Sequence, residues 1–196
     1  MKRLSLYLFL ILFSFQTSSW ADDISDFEIE GMSIGDSLLD YFSKKEIKDN
    51  TNTNYYTNNK YTSVDFVELP TFKIYDALEF NYKTDDKKYI IAAIAGGLFC
   101  EKNIEKCNKK QKEIDLELSN MFKNAQRVDD KGKHSADKSG KSTFLHINFW
   151  LISGDVATIE LVDWSEKISN EKRWIDNVGV SFRTKEFNDF LGIAFN

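Results

Sequence analysis

The chain has 196 residues, of which 42% are apolar, 14% aromatic and 29% charged, with one proline and a formal net charge of −5. These figures exclude a disordered chain, because aromatic and aliphatic side chains are plentiful enough to build a core. The acidic balance argues against nucleic acid and against anionic membrane surfaces as partners.

The N-terminal 21 residues have the three parts of a secretory signal peptide. Two basic residues precede an apolar run from Leu4 to Phe15, and Ser19-Trp20-Ala21 places small residues at the −3 and −1 positions of a cleavage site before Asp22. The run is short for a bilayer span, although an uncleaved anchor is the alternative. We therefore predict a signal peptide over 1–21 and a periplasmic or secreted destination, with no transmembrane segment after cleavage.

The remaining segment, 22–196, is long enough for one domain with a substantial core. Its net charge is −7, because two basic residues leave with the signal peptide. We predict a single domain over this segment.

The first predicted element of the domain is a short helix from Ser33 to Phe42. Apolar residues recur there at a spacing of four, and Ser33 with Asp36 forms a capping box at its start. The segment 49–63 is rich in Asn and Thr and predicts an exposed loop.

Alternation then predicts two strands joined by a hairpin. Residues 72–82 alternate between apolar and polar, as in a strand with one wet face, and Thr84-Asp85-Asp86-Lys87 suits a hairpin loop. Tyr89 to Phe99 is apolar on both faces, which predicts a central strand. Gly96-Gly97 within it permits a bulge or a close neighbour.

A helix is predicted from Ile104 to Lys123, because apolar residues and Cys107 follow one stripe while Lys and Glu cover the rest. Cys107 therefore faces the sheet, in which the preceding strand ends near Cys100. In an oxidising compartment a disulfide between these two cysteines is the expected state. A metal or redox pair is the alternative, but the six-residue spacer fits neither the C-x-x-C motif nor a zinc site.

The second half of the domain predicts three more strands and a last helix. A polar loop over 129–142 precedes strands over 143–152, 156–164 and 174–183, and a short helix follows over 185–191. The order is rich in hairpins and lacks β-α-β alternation. We therefore predict an α+β fold, with an antiparallel sheet of about five strands and two or three helices packed on it.

Gly35-Asp36-Ser37-Leu38, near the start of the domain, resembles the nucleophile block of the GDSL (SGNH) hydrolases. The resemblance implies that Ser37 attacks an ester, with a histidine as its base. The GxND and D-x-x-H blocks of that family have no counterpart here, where His134 and His146 are the only histidines. The alternative, which these absences favour, is that Ser37 belongs to the first turn of a capped helix.

Two further resemblances concern the same region. Gly31-Met32-Ser33 ahead of meandering strands looks like the small periplasmic α+β modules of the BamE/SmpA and β-lactamase-inhibitor-like group. The string I-G-D-S-L-L over 34–39 is similar to one found early in uncharacterised exported proteins of AT-rich marine bacteria. That second group carries no assigned chemistry, so it implies export and no mechanism.

Three side chains on one face of the 143–152 strand form a possible pocket. His146, Asn148 and Trp150 share that face, and Glu160 on the next strand is expected near them. The alternative is a half-buried face that a helix or loop covers.

No metal site and no cofactor are predicted. The acidic residues do not follow the spacing of a calcium loop. Gly140-Lys141-Ser142-Thr143 is similar to the end of a P-loop, but the first glycine of that motif is missing and a strand follows.

The sequence contains no convincing nucleophile–base pair, metal cluster or cofactor loop. We therefore predict a non-enzymatic binding or interaction module, with a small ligand or an envelope protein as its partner. The alternatives are a serine hydrolase that uses Ser37 and an accessory subunit of an envelope assembly.

Overall fold

The computed structural model describes residues 23–53, 55–100 and 103–194. The predicted signal peptide, 1–21, lies outside the described residues and stays a prediction. Among the described residues, no helix combines the length and the apolar character that crossing a membrane requires.

The described residues form four α-helices and ten strands. The helices are α1 (Lys44–Asp49), α2 (Ile104–Met121), α3 (Glu166–Lys172) and α4 (Lys185–Ala194), with short 3-10 turns over Ile24–Asp26 and Leu38–Asp40. The strands are β1 (Glu28–Ile29), β2 (Met32–Ser33), β3 (Thr51–Asn52), β4 (Tyr61–Val67), β5 (Ala77–Lys83), β6 (Ile91–Phe99), β7 (Gln126–Lys133), β8 (Thr143–Trp150), β9 (Val156–Asp163) and β10 (Asn177–Arg183).

Eight of these strands form one sheet, in the spatial order β3-β4-β5-β6-β10-β9-β8-β7, and every neighbouring pair is antiparallel. The predicted α+β class with an antiparallel sheet is confirmed. The strand count was too low at about five, and there are four helices where two or three were predicted. The strand predicted over 89–99 lies centrally, as β6, between β5 and β10.

Three of the elements that the sequence prediction missed lack a clear, regular spacing of apolar residues. β7 ends inside the predicted 129–142 loop, at Lys133, and has mainly exposed side chains, because it is an edge strand that pairs only with β8. β4 begins inside the predicted 49–63 loop, and an aspartate interrupts its apolar residues. α3 is only seven residues long and is capped by Ser165.

The predicted helix from Ser33 to Phe42 is wrong. Gly35 takes a left-handed φ of +94°, which ends any helical path there. The segment instead runs beside β6, where the amide of Gly35 donates to the carbonyl of Ile91 (3.0 Å) and Ser37 forms an isolated bridge with Ile90. One half of the predicted capping box exists, because the Asp36 carboxylate accepts the amide of Ser33 (2.9 Å).

One face of the sheet, here called the helix face, carries the main core. α2 packs against β9 and β10 on this face. Its buried residues Cys107, Gln111, Ile114 and Leu118 recur at helical spacing, as the sequence pattern predicted. Val178 and Val180 of β10 are among the strand residues that they cover.

The N-terminal segment completes the core of the helix face. The ring of Phe27 packs against Phe122 at the end of α2 (centroids 4.7 Å apart) and stacks on Phe182 of β10 (5.3 Å). The β1–β2 hairpin turns at Glu30, and the Glu30 carboxylate accepts hydrogen bonds from the backbone amides of residues 73–75. The start of the domain is therefore an integral part of the fold.

A disulfide joins Cys100, just after β6, to Cys107 in the second turn of α2. Both residues are buried, with 2% and 0% of their surface exposed. The predicted pairing is confirmed, and the bond fixes the start of α2 against the end of a central strand.

The opposite face of the sheet, here called the open face, is only partly covered. α4 and the connection before β4 close one end of it, where Phe187, Phe190, Tyr56, Tyr61 and Ala93 form a second, smaller core. Thr184 caps α4 as predicted, because its hydroxyl accepts the amide of Phe187 (3.2 Å). The middle of the open face remains accessible.

Candidate ligand site on the open face of the sheet

A trough runs across the middle of the open face, and its floor consists of small residues. Ala77 of β5, Ala95 and Gly97 of β6, and Gly179 and Ser181 of β10 line it. Register brings these residues into adjacent positions, with Ala77, Gly97 and Gly179 in one row and Ala95 and Ser181 in the next. Because none has a large side chain, the three central strands leave a cavity of about 250 Å³.

Gly97 is the residue that most directly opens the trough. A Cβ built at this position would meet no atom within 4 Å, so the space above it is empty. A Cβ at the preceding residue, Gly96, would instead meet the Tyr75 ring on the helix face at 2.6 Å. The predicted role of the Gly96-Gly97 pair as a place of close approach therefore holds for Gly96, while the β-bulge of this strand pair lies elsewhere, at Asn81 and Tyr82.

Two carboxylic acids form one wall of the trough. Asp65 of β4 and Glu79 of β5 are direct cross-strand neighbours, and both line the cavity. Oε1 of Glu79 accepts hydrogen bonds from Asn81 (3.0 Å) and more weakly from Ser63 (3.4 Å). Oδ1 of Asp65 is buried and has no hydrogen-bond partner among the described residues.

The environment of this wall disfavours ionisation. Burial raises the pKa of Glu79 to about 7, the charges of Asp65 and Glu160 add to the effect, and hydrogen bonds from Asn81 and Ser63 oppose it. Burial also raises the pKa of Asp65, and hydrogen bonding of its carboxyl group with the Asn52 and Ser63 side chains opposes the rise. The two acids are therefore held close together with little solvent to stabilise their charges.

In the opposite wall of the trough, an acidic side chain has basic neighbours. Glu160 and Thr158 of β9 line it, and Nε2 of His146 lies 3.2 Å from Oε1 of Glu160. Burial acts to raise the pKa of Glu160, but the hydrogen bond with His146 and nearby positive charges, including Arg183, hold it below its ordinary value. About half of the Glu160 side chain remains accessible at the rim.

Arg183, at the end of β10, anchors this side. One of its terminal nitrogens, Nη2, donates to the Thr158 hydroxyl, and that hydroxyl donates to Oδ1 of Asn148 (2.8 Å). Burial lowers the pKa of Arg183, and its Nε is buried without a partner among the described residues.

A second cavity of about 220 Å³ continues the trough beneath α4. It shares Glu79, Ala95, Glu160 and Ser181 with the first cavity and is closed by Tyr55, Tyr56, Phe187 and Leu191. The hydroxyl of Tyr56 donates to Oδ1 of Asn81 (2.6 Å). The negative charge of Glu79, followed by burial and the charge of Asp65, raises the pKa of Tyr55, which places its phenol in the field of the acidic wall.

The four residues of the predicted pocket all lie on the open face. His146 and Glu160 are in contact, and Asn148 belongs to the hydrogen-bond chain that holds Arg183. Trp150 lies at the end of β8 opposite Val156, with 38% of its surface exposed. Of the four, only Glu160 is among the described residues that line the cavities.

Ser37 lies in the segment that pairs with the start of β6. Its hydroxyl donates to the carbonyl of Lys88 (2.6 Å) and accepts the amide of Leu39 (3.2 Å), so it caps the 3-10 turn over 38–40. Within the described part of the chain, no hydrogen bond joins this hydroxyl to a histidine. The geometry is that of a helix start, although the helix is a single 3-10 turn.

Sequence reasoning missed Asp65, Glu79 and Arg183. Glu79 stands between Leu78 and Phe80 at a position where the predicted strand has its wet face, so alternation placed it correctly but did not distinguish it from a solvated residue. Glycines inside predicted strands, such as Gly97, were the available signal of open space.

Among the described residues, no group of three or more His, Cys, Asp or Glu side chains is arranged to hold a metal ion. Comparison of the chain with protein-family models, with characterised proteins and with solved structures finds no match.

Proposed function

We propose that this protein is an exported, non-enzymatic binding module that holds a small ligand in the trough of the open face. The observation that carries the proposal is the floor of small residues in the middle of the sheet. Ligand sites are typically preformed concavities with mostly apolar lining and a few polar groups that fix orientation. The trough has this composition, with an alanine and glycine floor between two polar walls.

The polar walls support binding of a specific ligand. Buried polar groups in folded proteins nearly always have partners, because an unpaired one costs about 1–3 kcal/mol. Oδ1 of Asp65 and Nε of Arg183 are buried without partners among the described residues, on the face that carries the trough. A ligand that supplies one of these partners would recover that free energy on binding.

The disulfide supports export. Structural disulfides persist in oxidising compartments and are rare in the cytosol. The Cys100–Cys107 bond is buried between β6 and α2 and therefore belongs to the folded core.

Two groups that could have carried catalysis, the Ser37 hydroxyl and the Glu160 carboxylate, are engaged by other residues, which favours binding over catalysis by them. The Ser37 hydroxyl is committed to the Lys88 carbonyl and the Leu39 amide. The carboxylate of Glu160 is engaged with His146. A nucleophile or a base needs a free partner in reach of the substrate.

The test fills the trough with side chains of increasing size at Gly97. Melting temperatures of the native protein, Gly97→Ala and Gly97→Val are measured across a metabolite panel. We expect at least one compound to raise the Tm of the native protein, with a smaller shift for the alanine variant and none for the valine variant. The proposal fails if no compound shifts the Tm, or if Gly97→Val responds as the native protein does.

A further inference from the structure

We infer that the trough recognises an organic cation, a primary amine or guanidinium group that lies between Asp65 and Glu79 while its carbon skeleton rests on the alanine and glycine floor. This inference rests on the proposed function and names the chemical class of its ligand. It is carried by four independent features of the site.

The first feature is the absence of a protein cation for this wall. None of the ion pairs among the described residues involves Asp65 or Glu79. Neighbouring acids on adjacent strands repel each other unless a positive group intervenes. The two acids therefore lack an ion-paired partner in the described part of the protein, and Arg183 acts on Glu79 only through its field.

The second feature is the unpaired oxygen. Oδ1 of Asp65 is buried and accepts no hydrogen bond from the described residues. An ammonium group carries three donors and a guanidinium carries five, and neither carries an acceptor. A cation is therefore the group that best satisfies two adjacent carboxylates without introducing a new unpaired acceptor.

The third feature is the other end of the site, which disfavours an anion. Of the described residues that line the two cavities, Arg183 is the one cationic side chain. Its guanidinium already donates to Thr158 and lies in the field of both Glu160 and Glu79. An anionic ligand would therefore compete with Glu160 for a single cation and would be repelled by the acids of the opposite wall.

The fourth feature is the floor beside the acids. Ala77, Ala95 and Gly97 expose carbon and no side-chain polar atom, so they suit methylene groups. A hydrated metal ion would gain nothing from such a surface, whereas an alkyl amine buries its chain there at roughly 25 cal/mol for each Å² removed from water.

The experiment compares three five-carbon probes that differ in charge. Cadaverine, 1,5-pentanediol and glutarate are titrated into the folded, oxidised protein at pH 8, with calcium chloride as a fourth arm, and binding is followed by calorimetry and by Tm. At about ten times its dissociation constant, cadaverine is expected to raise the Tm by roughly 3–6 °C. The diol, glutarate and calcium are expected to give no shift.

Two sets of variants locate the cation. Asp65→Asn with Glu79→Gln preserves the shape of the wall but removes its charges, and is expected to weaken cadaverine binding at least about tenfold. If the double variant folds poorly, cadaverine binding is measured with each single variant instead. Glu171→Gln, on the exposed surface of α3, is the matched control and should bind cadaverine as the native protein does.

The outcomes separate this inference from the proposed function. If glutarate or the diol binds and Gly97→Val abolishes that binding, the trough is a ligand site but the cation assignment is wrong. A calcium-dependent shift without a cadaverine shift likewise overturns the cation assignment. If no probe binds, the cation assignment fails and the metabolite panel decides the proposed site. If cadaverine binds Gly97→Val unchanged, both the inference and the proposed site fail.

Discussion

Asp65 and Glu79 stand directly opposite each other on adjacent strands, with their carboxyl groups on the open face of the sheet. Like charges in this position destabilise a sheet. The fold nevertheless places them together beside a floor of small residues, which is the arrangement that the proposed cation site requires.

The pH dependence of the free energy of unfolding should reflect the ionisation of Glu79. Its pKa is about 7 in the folded protein and 4.5 in the unfolded chain, so its contribution to stability is full below pH 4.5 and is lost as the pH rises through 7. The loss is about 3 kcal/mol at most. Glu79→Gln should therefore be more stable than the native protein at pH 8 and show a flatter curve between pH 5 and 8 in urea denaturation.

Other groups around Glu79 shape the same curve. Five charged or titratable groups act on Glu79 or lie in its electrostatic field, namely Asp65, Glu160, Arg183, Tyr55 and Tyr56. The pKa of Asp65 is also raised, so a smaller slope of the same sign should remain in Glu79→Gln. A native protein and a Glu79→Gln variant with superimposable curves would show that Glu79 ionises normally in the folded state.

Cadaverine affinity should rise with pH. A cation favours the ionised form of Glu79, and between pH 6 and pH 8 the ionised fraction of a group with a pKa of about 7 increases about tenfold. Calorimetry at the two pH values should therefore show roughly tenfold tighter binding at pH 8. In Glu79→Gln this difference should largely disappear, and a persistent tenfold change would assign the titration to another group.

The two consecutive glycines of β6 should respond in opposite ways to the same substitution. Gly96→Ala places a methyl group against the buried Tyr75 ring and should cost about 1–3 kcal/mol. Gly97→Ala enters open space and should change the free energy of unfolding by less than about 1 kcal/mol. Urea denaturation of the two variants provides the comparison, and equal losses would mean that the trough is closed in solution.

Ser37 should behave as a structural residue. Ser37→Ala removes the hydrogen bond to the Lys88 carbonyl and the cap on the Leu39 amide, and should lower stability by about 1–2 kcal/mol. The folded native protein should not be labelled by a fluorophosphonate probe. Labelling that Ser37→Ala abolishes would revive the hydrolase interpretation.

The disulfide should stabilise the domain by limiting the unfolded chain. In the loop-entropy model, closure of a loop of this length contributes about 2.5 kcal/mol. The double variant Cys100→Ser with Cys107→Ser should lose about that amount relative to the oxidised protein. Alkylation of the native protein without reductant should modify neither cysteine, and modification of both would contradict the bond.

The sequence was most informative where one side of an element is buried and the other is not. α2 and β8 were located within about two residues of their bounds, because their apolar residues follow a single stripe or alternate strictly. β7 lacked any such signal, since an edge strand with exposed side chains is held by backbone pairing to β8. The Ser33–Phe42 prediction failed because spacing alone does not reveal the left-handed backbone of Gly35.

The residues of the candidate site likewise divide into those that the sequence pattern located and those that it did not. His146, Asn148, Trp150 and Glu160 lie on one face of the sheet, which alternation within β8 and β9 determines. The partnership of Asp65 with Glu79 depends on the register between β4 and β5, and β4 was not predicted. Long-range register is set by packing and turn geometry across the whole sheet, so local pattern does not determine it.

The stacking of Phe27 on Phe182 has a consequence for the order of events during biogenesis. These rings come from opposite ends of the domain, and β6 likewise pairs with the distant strand β10. Such non-local contacts form slowly, because a long chain must close before they contribute. The core of the helix face is therefore completed only after β10 emerges, and until then the partly synthesised domain is open to aggregation.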